Sequence, residues 1–401
     1  MRKCRYINLT NCNHPLVTTI KSIATIFKAN SFIIIMKILE LCIYSAGIDG
    51  VFARVKQESQ LLSKAGHEVK IFSSNHTKGS DKIAPAKDKL QKVEILRFPA
   101  KKLGGESFMS WNFEQEALKF KPDVIIAHSY RHNHTTKAQK IAKKLGCKVF
   151  LVTHAPFARQ ERSFLGKIAV LYYDNFIGRA SINKFDKIIA ITKWEIPYLL
   201  ALGAKKDKIK YIPNGIADEF FKVKKAKEQN KILFLGRIAP IKSIETIIQA
   251  LPHVKNNLVL EIVGPAEQEY LKYLKTLIKS NKLENRVIFS PAIYKTKEKI
   301  KKIDSAKIFV LPSKSEGMPQ SLIEAMAREK IVIASDNLAS KDLIVNEKNG
   351  HLFQIGNPKD LANKINLALE KNQNKIKKVA SSSVLQFSWS NIIKKIEKLI
   401  Q

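Results

Sequence analysis

Short continuous apolar runs recur along the chain, and between them apolar residues return every three or four positions. From Met36 the runs cover 36–44, 69–73, 93–98, 124–128, 148–153, 187–191 and 209–212. The run Val124-Ile-Ile-Ala127 follows Pro122-Asp123 and has no polar alternation, as expected of a strand buried on both faces of a parallel sheet. The stretch 51–65 carries Phe52, Val55, Leu61 and Leu62 at roughly helical spacing. Strands alternating with helices define a doubly wound α/β sheet. After Pro213-Asn214-Gly215 and a lysine-rich stretch at 222–231, read as a solvated linker, the alternation restarts. Further strands are expected near 231–235, 259–263, 287–289, 307–311 and 331–335. The pattern predicts two Rossmann-like domains, 36–222 and 223–385, whose strand ends face a shared cleft. In the last segment, 386–401, Ser388 is placed to cap a helix with Ile392, Ile393, Ile396, Leu399 and Ile400 along one stripe, and that stripe needs a partner surface.

Residues 1–35 contain no Asp or Glu, and lysines 21, 28 and 37 interrupt their apolar runs short of the ~20 residues a membrane helix needs. A targeting or anchoring segment is one reading. The preferred one is an extension upstream of the true start, or a weakly basic surface element. No other stretch reads as a transmembrane span.

Length and composition agree with this division. A chain of 401 residues exceeds one ordinary core, and 45% hydrophobic content suits an ordered globular protein. The four cysteines (Cys4, Cys12, Cys42 and Cys147) have neither metal nor disulfide spacing, which fits a reducing, cytoplasmic setting. Seventy Lys and Arg against 35 Asp and Glu give a net charge of +35, which attracts anionic lipid, phosphorylated substrates or nucleic acid unless it only reflects a lysine-rich proteome. The basic residues are dispersed, and no helix-turn-helix, RNA-binding or zinc-finger signature appears, so nucleic acid is not an expected partner.

The chemistry-bearing residues follow strand ends. In Phe234-Leu-Gly-Arg-Ile-Ala-Pro-Ile-Lys242, Gly236 permits a tight turn and Arg237 and Lys242 follow it. An Arg fork and a Lys point charge at a strand end suit a diphosphate, although two surface cations would read alike. Downstream, Pro312-Ser-Lys-Ser-Glu-Gly-Met-Pro-Gln-Ser-Leu-Ile-Glu-Ala-Met326 places Glu316 before the N-terminus of a helix over 320–328 and Glu324 inside it. Such an N-terminus offers free N–H groups to an anion. Gly317 and Pro319 bend the chain ahead of it. In the first half, His128-Ser-Tyr-Arg-His-Asn-His134 follows a strand, and His128, Tyr130, Arg131 and His132 are candidate acceptor contacts. Three histidines in seven residues suggest zinc, but no cysteine or carboxylate completes a site, so no metal is expected.

Taken together and in order, Gly-Arg-x4-Lys, Val263-Gly264 and Glu-Gly-x-Pro-x-Ser-x2-Glu-Ala resemble the GT4 family of retaining glycosyltransferases, which have the two-domain GT-B fold. Gly47-Ile-Asp-Gly50 with the helix ending Ala65-Gly-His-Glu-Val69, Ile212-Pro-Asn-Gly215, and Phe387-Ser-Trp389 with the last helix extend the resemblance over nearly everything from Met36. The resemblance implies that Arg237 and Lys242 bind the donor diphosphate and stabilise the leaving nucleotide, that Glu324 holds the ribose hydroxyls, and that Glu316 contacts the transferred sugar. It implies that Gly50 brings backbone N–H groups to the diphosphate, that Gly264 lines the nucleotide pocket with Gly236 and Gly317 beside it, and that the last helix crosses back onto the first domain. His154, in Val152-Thr-His-Ala-Pro156, matches a histidine near the donor sugar; the alternative is a buried, hydrogen-bonded histidine. His154, Glu316, Arg237 and Lys242 are thus the catalytic candidates.

The implied reaction moves a sugar from a nucleotide-sugar co-substrate to a glycan or lipid-linked acceptor, with retention and with no metal or other cofactor. An anionic membrane surface is a further expected partner, at the inner face of a membrane. Rival readings are an epimerase or phosphorylase on the same fold, or a non-catalytic anion- or membrane-binding protein. The chain departs from the family pattern at Asp49-Gly50, where two glycines are usual, at Arg328-Glu-Lys-Ile331, which lacks a common glycine, and at Asn337-Leu-Ala-Ser-Lys-Asp342, where a glycine-rich segment with a glutamate is usual.

Overall fold

The computed structural model describes residues 35–101, 106–157, 164–223, 226–370 and 372–401. The expectations for residues 1–34 lie outside them. Two sheets dominate. The first comprises β1 (Lys37–Leu41), β2 (Glu68–Ser74), β3 (Lys87–Leu90), β4 (Val93–Phe98), β7 (Val124–His128), β8 (Lys148–Val152), β9 (Lys187–Ala190) and β10 (Ile209–Tyr211), in the order β10-β9-β8-β7-β1-β2-β4-β3. A short antiparallel pair, β5 (Ala100–Lys101) and β6 (Ser110–Trp111), lies beside it. The second comprises β11 (Gln229–Leu235), β12 (Val259–Val263), β13 (Val287–Ser290), β14 (Ala306–Leu311), β15 (Ile331–Ser335) and β16 (His351–Phe353), in the order β13-β12-β11-β14-β15-β16.

All pairings in the two large sheets are parallel except β3 with β4. β3 reads Lys-Asp-Lys-Leu and has no apolar run to announce it; as a short, charged edge strand it resists further pairing. β7 is buried at all five positions, as its unbroken apolar run requires. The expected linker is shorter than 222–231, because β11 begins at Gln229.

One face of the first sheet packs beneath the helices Glu114–Phe120 and Asn133–Leu145. The opposite face is covered by the helix Gly50–Lys64 and by the C-terminal helix Trp389–Ile400, whose Ile392, Ile396 and Ile400 are fully buried with Val55 and Leu62. Ser388 caps that helix by accepting from the Asn391 amide at 3.3 Å. The two crossings between domains run side by side: Ile216 pairs with Ser388, and a Cβ on Gly215 would sit 2.5 Å from the Trp389 ring. Buried Arg54 fixes the first crossing, donating to the carbonyl of Ile212 at 3.1 Å and to Asn214 at 3.0 Å.

The domains meet through segments that follow strand carboxyl ends. Trp194, after β9, donates from its indole to Gly317 O at 3.2 Å and from its amide to Asp342 at 2.9 Å. The Asn214 amide lies 3.3 Å from the Met318 sulfur, and a Cβ on Gly317 would stand 3.4 Å from that of Ala155. The turn carrying His154 therefore abuts the loop carrying Glu316.

Candidate active site

The second domain supplies the cations. β11 ends at Leu235 and the chain turns at Gly236, whose amide donates to Val263 O at 3.0 Å. Here the loops after β11 and β12 touch: Gly264 has φ +153°, and a Cβ on it would lie 1.9 Å from Gly236 O. Arg237 follows, exposed and paired with Glu267 at 3.1 Å. Lys242, in the short turn Pro240–Lys242, donates to Glu316 Oε1 at 2.6 Å, and Ser313 donates to the same oxygen at 2.6 Å.

Glu316 and Gly317 lead into the helix Gln320–Ala327, whose capping residue is Pro319, with no side-chain bond to its first amides. Within it, Glu324 is buried and paired with Lys299 at 2.7 Å, and its other carboxylate oxygen has no partner. Burial pushes the Glu324 carboxyl up, with Lys299 opposing. The structure thus brings Arg237, Lys242, Glu316, Gly317 and Glu324 to one edge of the second sheet.

The first domain supplies a cavity of about 330 Å³ whose lining includes Tyr44, Asp49, Tyr130, Arg131, His132 and His154. His154 and Ala155 both adopt left-handed backbone, φ +58° and +51°, as do Ser129 and Arg131 at +78° and +69°. Four non-glycine residues held this way around one cavity mark stored backbone strain. Gly50 starts the helix beside this cavity, exposed and with open space around its α-carbon. Asp49 caps that helix by accepting from the Phe52 amide at 2.9 Å.

Two of the acceptor candidates need correction. His128 does not reach the cavity, being fully buried behind His154. Arg131 lines the cavity, but Asp174 accepts from its Nε at 2.8 Å and from Nη2 at 2.6 Å, and Pro156 O accepts from Nη1 at 2.8 Å. It is a clasp rather than a free phosphate fork. Tyr130 donates its hydroxyl to the same Asp174 at 3.1 Å. His132 donates from Nδ1 to backbone carbonyls, and burial keeps it neutral. His134 Nε2 lies 2.7 Å from His128 O, so these histidines point at backbone rather than at a shared centre.

Behind His154 runs a chain the sequence reading missed. Glu40 Oε2 is 2.7 Å from His128 Nε2, and His128 Nδ1 is 2.9 Å from His154 Nε2. Glu40 is fully buried and its second oxygen has no partner. Burial pushes its carboxyl up to about 8, with Arg54 opposing, and lowers His128 to about 3. His154 is held well below its ordinary value by burial, then by His128. With Glu40 protonated, its O–H donates to His128 and His128 donates onward to His154 Nε2, leaving the His154 proton on Nδ1. Ionised Glu40 reverses both bonds and moves that proton to Nε2. The signal was present as a lone carboxylate inside the apolar run Ile38-Leu-Glu-Leu41, a placement that requires a partner. Buried Glu195 braces the neighbouring Thr153, which donates to it at 2.8 Å.

The Glu40 proton has a consequence for stability. A carboxyl raised to about 8 in the folded state contributes stability that is fully present below the unfolded pKa of about 4.3 and is lost as pH rises through 8. Between pH 5 and 9 the melting temperature of the native chain is expected to fall more steeply than that of Glu40→Gln, which does not titrate. Parallel melting curves would refute this.

Two family models divide the chain: Glycosyltransferase Family 4 matches residues 48–220 and Glycosyl transferases group 1 matches residues 216–382. The chain belongs to this family of glycosyltransferases and is an enzyme of the GT-B class. It is 24% identical over 388 residues to an uncharacterized glycosyltransferase of Methanocaldococcus jannaschii, covering 89% of this chain and 96% of that one. It is 35% identical over 99 residues to the N,N'-diacetylbacillosaminyl-diphospho-undecaprenol alpha-1,3-N-acetylgalactosaminyltransferase of Campylobacter jejuni, covering 24% of this chain and 26% of that one. The fold is similar to that of HepE from Anabaena, whose structure was solved with UDP and glucose, with a TM-score of 0.69 and 18% identity over 91% of this chain and 99% of that one.

Proposed function

We propose that the chain transfers a sugar from a nucleoside-diphosphate sugar, with retention and without a metal ion, to a glycan or lipid-linked acceptor at the inner, cytoplasmic face of a membrane. The observation that carries this reading is the Lys242–Glu316 pair beside one helix N-terminus, opposite the His154 turn, with Glu324 inside that helix and Arg237 on the loop that leads to Lys242. Arg237 and Lys242 supply the positive charge that a departing diphosphate needs. Glu324, with an unpartnered oxygen, suits ribose hydroxyl donors, and Glu316 suits those of the sugar. Among the described residues no side chain stands out as a nucleophile for double displacement. The reading is therefore a same-face transfer: the anomeric C–O bond to the diphosphate breaks, the acceptor oxygen bonds to that carbon, and the acceptor's proton passes to the leaving phosphate.

UDP and glucose in HepE support a nucleotide-sugar donor, and the diphospho-undecaprenol acceptor of the Campylobacter relative supports a lipid-diphosphate acceptor. Among the described residues Cys42 and Cys147 form no disulfide. Among the described residues no helix is long and apolar enough to cross a membrane.

The test is binding of UDP-, GDP- and ADP-sugars to the full chain and to Glu324→Gln. One donor class is expected to bind, about 30-fold more weakly in the variant, since a hydrogen bond to a charged group contributes about 1.5–3 kcal/mol. Equal binding by both proteins would remove Glu324 from the site, and no binding by folded protein would overturn the proposal.

A further inference from the structure

The helix Phe164–Tyr172 and the π-helical turn Tyr173–Gly178 after it contain no buried residue before Gly178. Phe164 is 77% exposed, Leu165 75%, Leu171 65% and Phe176 65%, with Ile168 and Tyr172 also exposed. An ordinary surface helix hides such side chains against its own core. These residues form the densest group of exposed large apolar side chains among the described residues. Patches of this kind mark interaction sites.

The charge around the patch is one-sided. Among the described residues from Asn133 to Lys184, Asp174 is the sole acid, and Arg131 holds it. Exposed Lys140, Lys143, Lys144, Lys167, Arg179 and Lys184 belong to the same stretch. Lys140, Lys143 and Lys184 line a groove with Phe176 and Ile177, three cations against the single carboxylate of Asp186, which accepts from the Val149 amide. Large apolar side chains with cations in excess around them complement an anionic lipid interface: the apolar groups enter the acyl boundary and the cations meet the headgroups.

We infer that the segment Phe164–Ile177 docks the enzyme on an anionic bilayer and sets the first-domain cavity against it. This rests on the reading that the acceptor is presented at a membrane. The link to the cavity is direct. Asp174, on the docking segment, accepts from both Tyr130 and Arg131 of the cavity wall, and Gly178 lies so close to Tyr130 that a Cβ there would be 2.0 Å from its hydroxyl. A π-turn at this junction is a common device at functional sites. A lipid-borne acceptor entering beside the docked helix would meet the cavity without leaving the interface.

The experiment is co-sedimentation of the full chain with phosphatidylcholine vesicles and with vesicles containing 30% phosphatidylglycerol, alongside nucleotide-sugar binding and light scattering. The triple variant Leu165→Ser, Leu171→Ser, Phe176→Ser changes exposed side chains only. The native chain is expected to bind the anionic vesicles, and the variant about 100-fold more weakly, with donor binding unchanged. Equal binding of variant and native chain, which would place docking on dispersed lysines, overturns the inference, as does absence of binding to either vesicle. A native dimer that the variant dissociates also overturns it, by making the patch a self-association face. Loss of donor binding in the native chain would instead overturn the transferase reading and leave the docking result standing.

Discussion

Replacing Lys242 with glutamine is expected to lower the transfer rate about 10³-fold while the protein stays folded. In the proposed reaction the ammonium offsets the negative charge that collects as the diphosphate leaves, and removing one preorganised charge-stabilising group from such a site costs about 10²–10³ in kcat. Glutamine is the informative substitution because Lys242 also donates to Glu316, whose oxygen Ser313 shares. Alanine would strand a largely buried carboxylate and add a folding defect; glutamine keeps a donor and removes the charge. The loss should fall on kcat more than on donor affinity, because the charge is greatest at the transition state. Arg237→Gln should act the same way and more weakly, since that side chain is exposed and reaches Glu267 without a donor bound. Steady-state kinetics on both variants would show it. An unchanged kcat in Lys242→Gln would remove the residue from the chemistry.

The second large effect is structural. Gly264→Ala is expected to destabilise the second domain by about 3 kcal/mol, combining overpacking with backbone strain. At φ +153° and with Gly236 O 1.9 Å from the new Cβ, neither loop has room to yield without moving Arg237. Its melting transition should drop by about 6–12 °C, at 2–4 °C per kcal/mol for a domain of this size, and donor binding should weaken with it. Gly50→Ala is the control: its α-carbon faces open space, so its melting temperature should barely move. Equal shifts for the two would show that the contact between the loops is not a constraint.

The contrast between these two glycines shows what the sequence carried. Apolar runs located most strands of both sheets, because parallel strands buried on two faces must be continuously apolar, but the edge strands β3 and β16, short and poor in such runs, were not among them. The donor-side residues were legible because each follows a strand end in a fixed order. Orientation was not legible. His128 closes β7 and faces the interior, whereas His154 lies two residues beyond β8, in a left-handed turn, and lines the cleft. The Phe164–Tyr172 helix was invisible for a related reason. An apolar run specifies that a helix needs company without saying whether that company is its own core.

The departures from the family pattern also resolve into local physics. Glu329 adopts φ +54° in the stretch where a glycine is common, so this chain accepts backbone strain there. Asn337 caps the helix Leu338–Leu343 by accepting from the Ser340 amide at 2.9 Å, and Asp342 reaches across to Trp194. Capping and cross-domain bonding occupy positions where a glycine-rich loop is usual.

The crossover of the last helix has a consequence for synthesis. Ile392, Ile396 and Ile400 complete the first domain's core, but they leave the ribosome only after the whole second domain has been made. The first domain's strands all emerge before residue 212, yet one face of its sheet stays only partly covered, by the helix Gly50–Lys64, while the second domain is translated, on the order of tens of seconds at bacterial-type elongation rates. During that interval the nascent first domain exposes an apolar groove along the helix Gly50–Lys64, a surface suited to a chaperone. A stalled or prematurely terminated chain would keep that groove open, so loss of a dozen C-terminal residues would be read by the cell as a misfolded protein rather than as a shortened enzyme.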